Sequence, residues 1–259
     1  MDLILTGSRL EDGTSSSIDH RLGLTDTSRL TPVVYVVDPD EAERESLERL
    51  IRCEGWHAET FASAEEFLAH PLEVVPSCLL LDVSLPGLSG LELQKRAAGE
   101  TPYIATIFLS AKGDIPIAVE AIKTGAVEFL TKPFHHSRLL GAFREALDRS
   151  RKIIAREAEK RALQRCYALL SCRQKQVMAL VSAGLLNKQV GVELGISEIT
   201  VKAHRGQVMQ KMQANSFSDL IKMAAKLGLS RRRESPRPCR GDSVTDLSGV
   251  LSTLIAQAY

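Results

Sequence analysis

Cys78-Leu79-Leu80-Leu81-Asp82-Val83-Ser84-Leu85-Pro86-Gly87 is the stretch that decides how this chain folds. Three leucines in a short apolar run predict a strand buried on both faces, and Pro86-Gly87 ends it abruptly. A carboxylate therefore stands where a buried strand stops. In open parallel α/β sheets, ligands bind outside the carboxyl ends of the strands. Taken alone, Asp82 serves equally well as a turn residue, because Asp side chains commonly bond the backbone two residues on. What else the chain brings to the same edge separates the two readings.

Upstream, Val33-Val34-Tyr35-Val36-Val37-Asp38 is a β-branched run that also ends in an acid. Glu41 to Glu54 then reads as a helix, with Leu47, Leu50 and Ile51 at helical spacing and Gly55 as its stop. Trp56 to Phe61 is a short strand, and Ala64 to Ala69 a helix closed by His70-Pro71. Downstream, Leu91 to Ala98 is a helix, Tyr103 to Leu109 a strand ending at Ser110, and Asp114 to Thr124 a helix stopped by Gly125. Val127 to Thr131 is a fifth strand, followed by Lys132-Pro133 and a helix over Ser137 to Asp148. Strands and helices thus alternate five times, which predicts an α/β fold with a doubly wound, five-stranded parallel sheet. Asp38, Asp82, Ser110 and Lys132 all fall at strand ends, and a parallel sheet gathers them on one edge. Acids, a hydroxyl and an ammonium in one place suit phosphoryl transfer: a carboxylate nucleophile, a divalent cation between acids, and Ser and Lys for the transferred oxygens.

Composition bounds the remaining possibilities. A chain of 259 residues allows one large domain or two small ones, at roughly 100 to 200 residues each. No apolar run approaches the ~20 residues needed to span a membrane, and the Met1 to Gly7 start lacks the basic and apolar segments of a secretory signal, so a cytoplasmic protein without membrane attachment is expected. The five cysteines, at 53, 78, 166, 172 and 239, form no Cys-x-x-Cys pair and no zinc spacing, and are expected to be reduced thiols. Net charge is +1, yet Thr31 to Asp148 carries 10 Lys+Arg against 19 Asp+Glu, whereas Arg149 to Leu229 carries 15 against 5. An acidic half followed by a basic one predicts two domains with different partners, the second a candidate for nucleic acid.

The expected organisation is a disordered leader over 1–30, the α/β domain over 31–148, a helical linker over 149–166, an all-α domain over 167–229 and a basic, largely disordered tail over 230–259. In the linker, Ile153, Ile154, Ala158, Ala162 and Cys166 form either a weak dimer seam or one side of a solvated connector. In the all-α domain, Ser171 caps a helix carrying Val177, Met178, Leu180 and Val181 and ending at Gly184. Asn187 is placed as the cap of Lys188 to Leu194. Gly195-Ile196-Ser197 turns into a helix over Glu198 to Met212, and Ser218 to Leu227 supplies a fourth. Helix, glycine turn, helix is the helix-turn-helix pattern.

At 100° per residue, Val201, His204, Val208 and Met212 share the core side of the third helix. Ile199, Ala203, Gly206 and Gln210 point away, flanked by Lys202, Met209, Thr200 and Gln207. Small residues with a cation at their edge allow a helix to approach the major groove closely. The basic tail, with Arg231-Arg232-Arg233, Arg237 and Arg240, and a short amphipathic segment over Val244 to Ala258 add no assignable chemistry.

Residues 33 to 148 resemble the receiver domain of two-component response regulators, on Leu79 to Gly90, Ser110 to Asp114 and Gly125 to Phe134. The resemblance implies that Asp82 accepts phosphate from a histidine kinase and that Asp38, Asp82 and the Ser84 carbonyl bind Mg²⁺. It further implies that Ser110 and Lys132 sense the phosphate, with Phe129 as an aromatic switch and a cis bond before Pro133. Receivers usually place two acids in succession after the first strand. Here the pair is Asp38-Pro39, and proline offers no carboxylate, which leaves Asp38 and the displaced Asp40. Two outcomes stay open: weaker Mg²⁺ binding with phosphorylation retained, or a constitutive DNA-binding transcription factor with a phosphate-insensitive receiver.

Residues 167 to 229 resemble the LuxR/FixJ type of DNA-binding domain, on Gly184-Leu185-Leu186-Asn187-Lys188-Gln189 and Ser197-Glu198-Ile199-Thr200-Val201-Lys202-Ala203-His204. Relatives usually carry an acid where Gln174-Lys175 stands. The resemblance implies DNA contacts from Thr200, Lys202 and Ala203, with Ile199 and Gly206 on the same face and Lys188 and Lys211 near the backbone. A non-enzymatic, two-domain transcription regulator is expected, with promoter DNA, a sensor histidine kinase and RNA polymerase as partners and a homodimer as the active form.

Overall fold

The computed structural model describes residues 30–229. The leader before Leu30, the basic tail and the segment over Val244 to Ala258 lie outside the described residues. The chain divides into two compact units between Glu159 and Lys160.

The first unit holds β1 (Val33–Val37), α1 (Glu41–Cys53), β2 (His57–Phe61), α2 (Ala64–Ala69), β3 (Ser77–Asp82), α3 (Gly90–Glu100), β4 (Ala105–Ser110), α4 (Ile115–Lys123), β5 (Glu128–Thr131) and the start of α5 (His136–Ala168). The strands form one sheet in the order β2-β1-β3-β4-β5, every pair parallel. Alternate residues sort to opposite faces, as a period of two requires. Val34, Val36, Cys78, Leu80, Ile107 and Leu109 pack with Leu47 and Ile51 of α1 and Leu139 and Phe143 of α5. Val33, Tyr35, Val37, Leu79, Leu81 and Phe108 pack with Phe67 of α2, Leu93 of α3 and Ala121 of α4. Two buried faces explain why the central strands read as unbroken apolar runs rather than alternating ones.

Gly90 shows how tightly α3 docks on the end of β3. A Cβ there would lie 2.8 Å from the Asp82 carbonyl oxygen and 3.3 Å from the Phe108 ring. The Ser89 hydroxyl accepts from the Glu92 amide and Glu92 accepts from the Ser89 amide, so a capping box starts α3 on that close approach.

The helix expected over Ser137 to Asp148 and the linker expected after it are one 33-residue helix, because no Gly or Pro interrupts the sequence between Ala142 and Ala168. Ile154 and Ala162 of the expected dimer seam are already buried within a single chain, so the five residues do not form a free stripe. Cys53, Cys78 and Cys166 are free thiols. Cys172 is disulfide-bonded, contrary to the expectation of five reduced thiols. Linear spacing does not state which cysteines a fold brings together.

The second unit holds the end of α5, α6 (Cys172–Ser182), α7 (Asn187–Leu194), α8 (Glu198–Lys211) and α9 (Phe217–Lys226). Val177, Met178, Val181, Val190, Val201, Val208, Met212, Leu220 and Met223 are buried. Ser171 caps α6 in a box with Gln174, and Ser197 caps α8 by accepting from the Thr200 amide at 3.1 Å. Asn187 does not cap α7. It is the first helical residue, the Leu186 amide donates instead to Gln189 Oε1 at 2.8 Å, and Asn187 Oδ1 accepts from Arg205. The turn between α7 and α8 is tight for a specific reason: Gly195 adopts φ 65°, and a Cβ on Gly191 would lie 2.7 Å from the Ile196 carbonyl oxygen. Only glycine at 191 lets the two helices meet at this angle without displacing the turn.

Candidate functional site

The parallel register brings four strand ends level. Val37 pairs with Leu81, Asp82 with Leu109, and Ser110 with Thr131. Asp38 and Lys132 follow their strands directly, and the Lys132 amide donates to the Ser110 carbonyl at 2.8 Å. Asp38, Asp82 and Ser110 are 2%, 6% and 3% exposed, so the edge is a buried polar pocket rather than a solvated turn.

Lys132 is its centre. Its Nζ donates to Asp82 Oδ2 at 2.7 Å and Asp38 Oδ2 at 3.0 Å, and also to Glu43 Oε2. Burial alone lowers the affinity of this ammonium for its proton, but the hydrogen bonds it donates to Asp82, Glu43 and Asp38 outweigh burial and hold its pKa above the usual range. Asp38 is pushed above the ordinary carboxylate range by burial, opposed by the Asp40 amide and by Lys132. The remaining oxygens are also occupied: Asp38 Oδ1 accepts from the Asp40 amide at 2.8 Å and Asp82 Oδ1 from the Ser84 amide at 2.6 Å. The Ser84 amide, not its carbonyl, is thus the atom that touches Asp82.

Ser110 sits beside this cluster but is engaged elsewhere. Its hydroxyl donates to the Lys112 carbonyl at 2.6 Å and accepts from the Lys112 amide at 3.2 Å. Phe129 is half-buried, its ring 6.2 Å from that of Phe108, and it lines a groove of about 470 Å³ with Ile115, Val119 and Ile122. The Lys132-Pro133 bond is cis.

The acid that stands with Asp38 and Asp82 is Glu43, which the sequence reading missed. Asp40 is instead spent on capping α1, its Oδ1 accepting from the Ala42 amide at 2.9 Å and the Glu43 amide at 3.3 Å. The signal was present: Glu43 lies three residues after that cap, in the first helical turn. Asp38, Glu43 and Asp82 each offer an oxygen, and these atoms lie within 4.8 Å of one another. Three carboxylates against the one ammonium they share leave two formal negative charges among hard oxygen donors, which fits Mg²⁺.

The second unit presents a different surface. Val201 and Val208 of α8 and Met212, which caps it, are buried, while His204 is half-buried and its Nδ1 has no hydrogen-bond partner, which makes it a packing residue. Ile199 is 80% exposed, and Thr200, Lys202, Ala203, Gly206, Gln207 and Gln210 are exposed with it. A Cβ on Gly206 would meet nothing within 4 Å, so no internal packing requires glycine there. Lys202 pairs with Glu198 at 3.2 Å across one turn in solvent, an interaction weak enough to yield to a phosphate or base. Lys188 is exposed at the start of α7. Lys211 differs from the other cations: its Nζ donates to the Leu169 carbonyl at 3.1 Å and Gln174 Oε1 at 2.9 Å. Gln174 is buried, and its amide also donates to Gln207 Oε1 at 2.8 Å, a bond an acid at this position would not make. Arg205, not anticipated from the sequence, stacks 4.1 Å over the Phe217 ring and bonds Asn187, tying α7, α8 and α9 together.

Two family models match the chain: the response regulator receiver domain over residues 34–144, and the luxR family of bacterial regulatory proteins over residues 168–224. Nodulation protein W of Bradyrhizobium diazoefficiens is 48% identical over 200 residues, covering 76% of this chain and 87% of that protein. The response regulator protein TodT of Pseudomonas putida is 42% identical over 205 residues, 79% of this chain and 90% of TodT. The transcriptional regulatory protein FixJ of Azorhizobium caulinodans is 39% identical, covering 76% of this chain and 93% of FixJ. Among solved structures, the response regulator StyR superposes with a TM-score of 0.66 at 41% identity, over 76% of this chain and all of StyR. With a phosphoacceptor-like acidic pocket in one unit, an open helix-turn-helix in the other and relatives matched across both, the chain belongs to the two-component response regulators that join a receiver domain to a LuxR-type DNA-binding domain and regulate transcription.

Proposed function

We propose that Asp82 is the phosphoacceptor and that its phosphorylation controls promoter binding through α8. The single observation that carries this reading is the bond from Lys132 Nζ to Asp82 Oδ2, which places a cation on the one strand-end carboxylate that Ser110 also flanks. An Asp82 carboxylate oxygen attacks the phosphorus of a phosphohistidine on the sensor kinase. The phosphorus–nitrogen bond breaks and the imidazole leaves with a proton, giving an acyl phosphate. Asp38, Asp82 and neighbouring oxygens would hold Mg²⁺, which would screen the repulsion between the carboxylate and the incoming phosphoryl oxygens. Lys132 then binds one of those oxygens.

The Ser110 hydroxyl leaves Lys112 for another phosphoryl oxygen, and Phe129 moves toward the space that Ser110 and the β4–α4 loop vacate. That movement reshapes the groove at α4 and β5, where Ile115 is 74% exposed and Val119 and Ile122 also stand open. The change is a population shift between two receiver conformations, biased by the phosphate. A homodimer formed on this face sets two α8 helices in successive major grooves, roughly one helical turn apart. Lys202 reaches a guanine edge or a phosphate, Ile199 and Ala203 meet thymine methyls, Gly206 permits close approach, and Thr200 and Lys188 bind phosphates. RNA polymerase and a cytoplasmic location complete the reading. Among the described residues no helix is long and apolar enough to cross a membrane.

A promoter footprint with and without acetyl phosphate tests the proposal. A footprint strengthened by the phosphodonor supports it. A phosphate-independent footprint supports a constitutive DNA-binding factor, and no footprint removes DNA binding altogether.

A further inference from the structure

We infer that Glu43 is a metal ligand of this receiver, supplying from the first turn of α1 the carboxylate that Pro39 cannot. The inference rests on the Mg²⁺-dependent phosphoacceptor reading and goes beyond it by naming how this chain completes the site.

The loop after β1 leaves few other candidates. Pro39 has no side-chain donor, and Asp40 is committed to the amides of Ala42 and Glu43. Arg44 pins the loop from the other side, its Nη1 donating to the carbonyls of Asp38 at 2.8 Å and Pro39 at 3.0 Å. Those oxygens are occupied, and swinging Asp40 inward would uncap the helix. Glu43 needs no such rearrangement. One methylene longer than Asp, it already reaches from α1 to the same ammonium that Asp38 and Asp82 bind.

Distance and charge both favour a divalent cation at this point. Donors on opposite sides of Mg²⁺, each ~2.1 Å from it, are ~4.2 Å apart. At most one pair of the three is trans and cis pairs stand ~3.0 Å apart, so oxygens within 4.8 Å of one another close on the ion by up to about 2 Å, within reach of side-chain rotation. Lys132 Nζ lies between the three oxygens and has to withdraw. Metal uptake thus frees Lys132 for the phosphoryl oxygens, so Glu43 links cation binding to the release of the phosphate-binding lysine.

Binding of Mn²⁺ to the full chain, followed by electron paramagnetic resonance without phosphodonor and competed by Mg²⁺, tests this independently of phosphorylation. Glu43→Gln weakens uptake about 10- to 100-fold, the range known for changes around metal ligands. Glu41→Gln, which removes an exposed acid from the same helical turn, shifts it by less than about threefold, as a solvated charge should. Pro39→Asp introduced into Glu43→Gln restores most of the lost affinity. Equal effects of Glu43→Gln and Glu41→Gln, or no recovery with Pro39→Asp in variants whose thermal melts match the parent, overturn the assignment of Glu43 while leaving the Mg²⁺ site standing. No Mn²⁺ uptake by the unaltered chain overturns the metal reading itself.

Discussion

At the sheet edge one ammonium holds three carboxylates in a pocket largely closed to solvent, whereas on the outer face of α8 the charged groups pair only across one exposed turn. Lys132 holds Asp38, Glu43 and Asp82 at once, in a pocket where Asp38 and Asp82 are almost fully buried and Glu43 closes the solvent side. Lys202, Thr200 and Ile199 stand in solvent, and the one ion pair among them spans a single exposed turn. Buried charges interact strongly and resist rearrangement, whereas exposed ones are screened and exchange partners freely. A ligand at the first site has to displace bonds that exist, so this site is suited to switching. At the second site a ligand has only exposed short-range partners to displace, such as Glu198 from Lys202, which suits affinity.

The largest expected effect breaks the first half of that comparison. Asp82→Asn abolishes stable phosphate incorporation from acetyl phosphate, read by phosphate-affinity electrophoresis, and leaves the DNA affinity of the unphosphorylated chain unchanged. Retained labelling would move the acceptor to another residue. The second half is broken by Lys202→Ala, which weakens operator binding by about 1–3 kcal/mol, or roughly 5- to 150-fold, in fluorescence anisotropy at fixed salt. A salt dependence shallower by about one unit identifies a phosphate contact, and a loss confined to one base position identifies a base contact. An unchanged affinity counts against α8 as the reading helix.

Two glycines sharpen the contrast between packing and access. Gly191→Ala forces a methyl against the Ile196 carbonyl at 2.7 Å and lowers the stability of the second unit by about 1–3 kcal/mol in urea melts. Gly206→Ala places its methyl in open space, so stability holds or rises by up to about 1 kcal/mol while operator affinity falls. Equal stability losses at both positions would show that Gly206 serves packing after all. The smallest effect is expected from Arg205→Ala, about 1 kcal/mol of stability, since it removes one stacked cation and one hydrogen bond at a partly buried position.

Much of the receiver was legible because its rules are local. The apolar runs of β1, β3 and β4, the glycines after helices and the acids at strand ends each depend on a few neighbouring residues, and the elements fall within a few residues of where periodicity sets them. Ser171 and Ser197 were legible as caps for the same reason. Asn187 was not, because a better offer from Arg205, 18 residues away, competes for its oxygen. Lys211 reads as one more surface cation in sequence, yet Gln174 and Leu169 draw it inward. Long side chains choose partners among many rotamers, and the choice depends on which elements stand nearby.

The same division runs through the site itself. By itself the sequence determined that Asp38, Asp82, Ser110 and Lys132 would meet, because parallel strands in one register must end on one edge. It also determined which face of α8 would be left outside, since a period of 3.6 residues places Val201, Val208 and Met212 together. Only the tertiary structure decided that Glu43 rather than Asp40 joins the acids. That choice turns on where the first turn of α1 lies relative to the ends of β1 and β3, a distance in space that no spacing along the chain encodes.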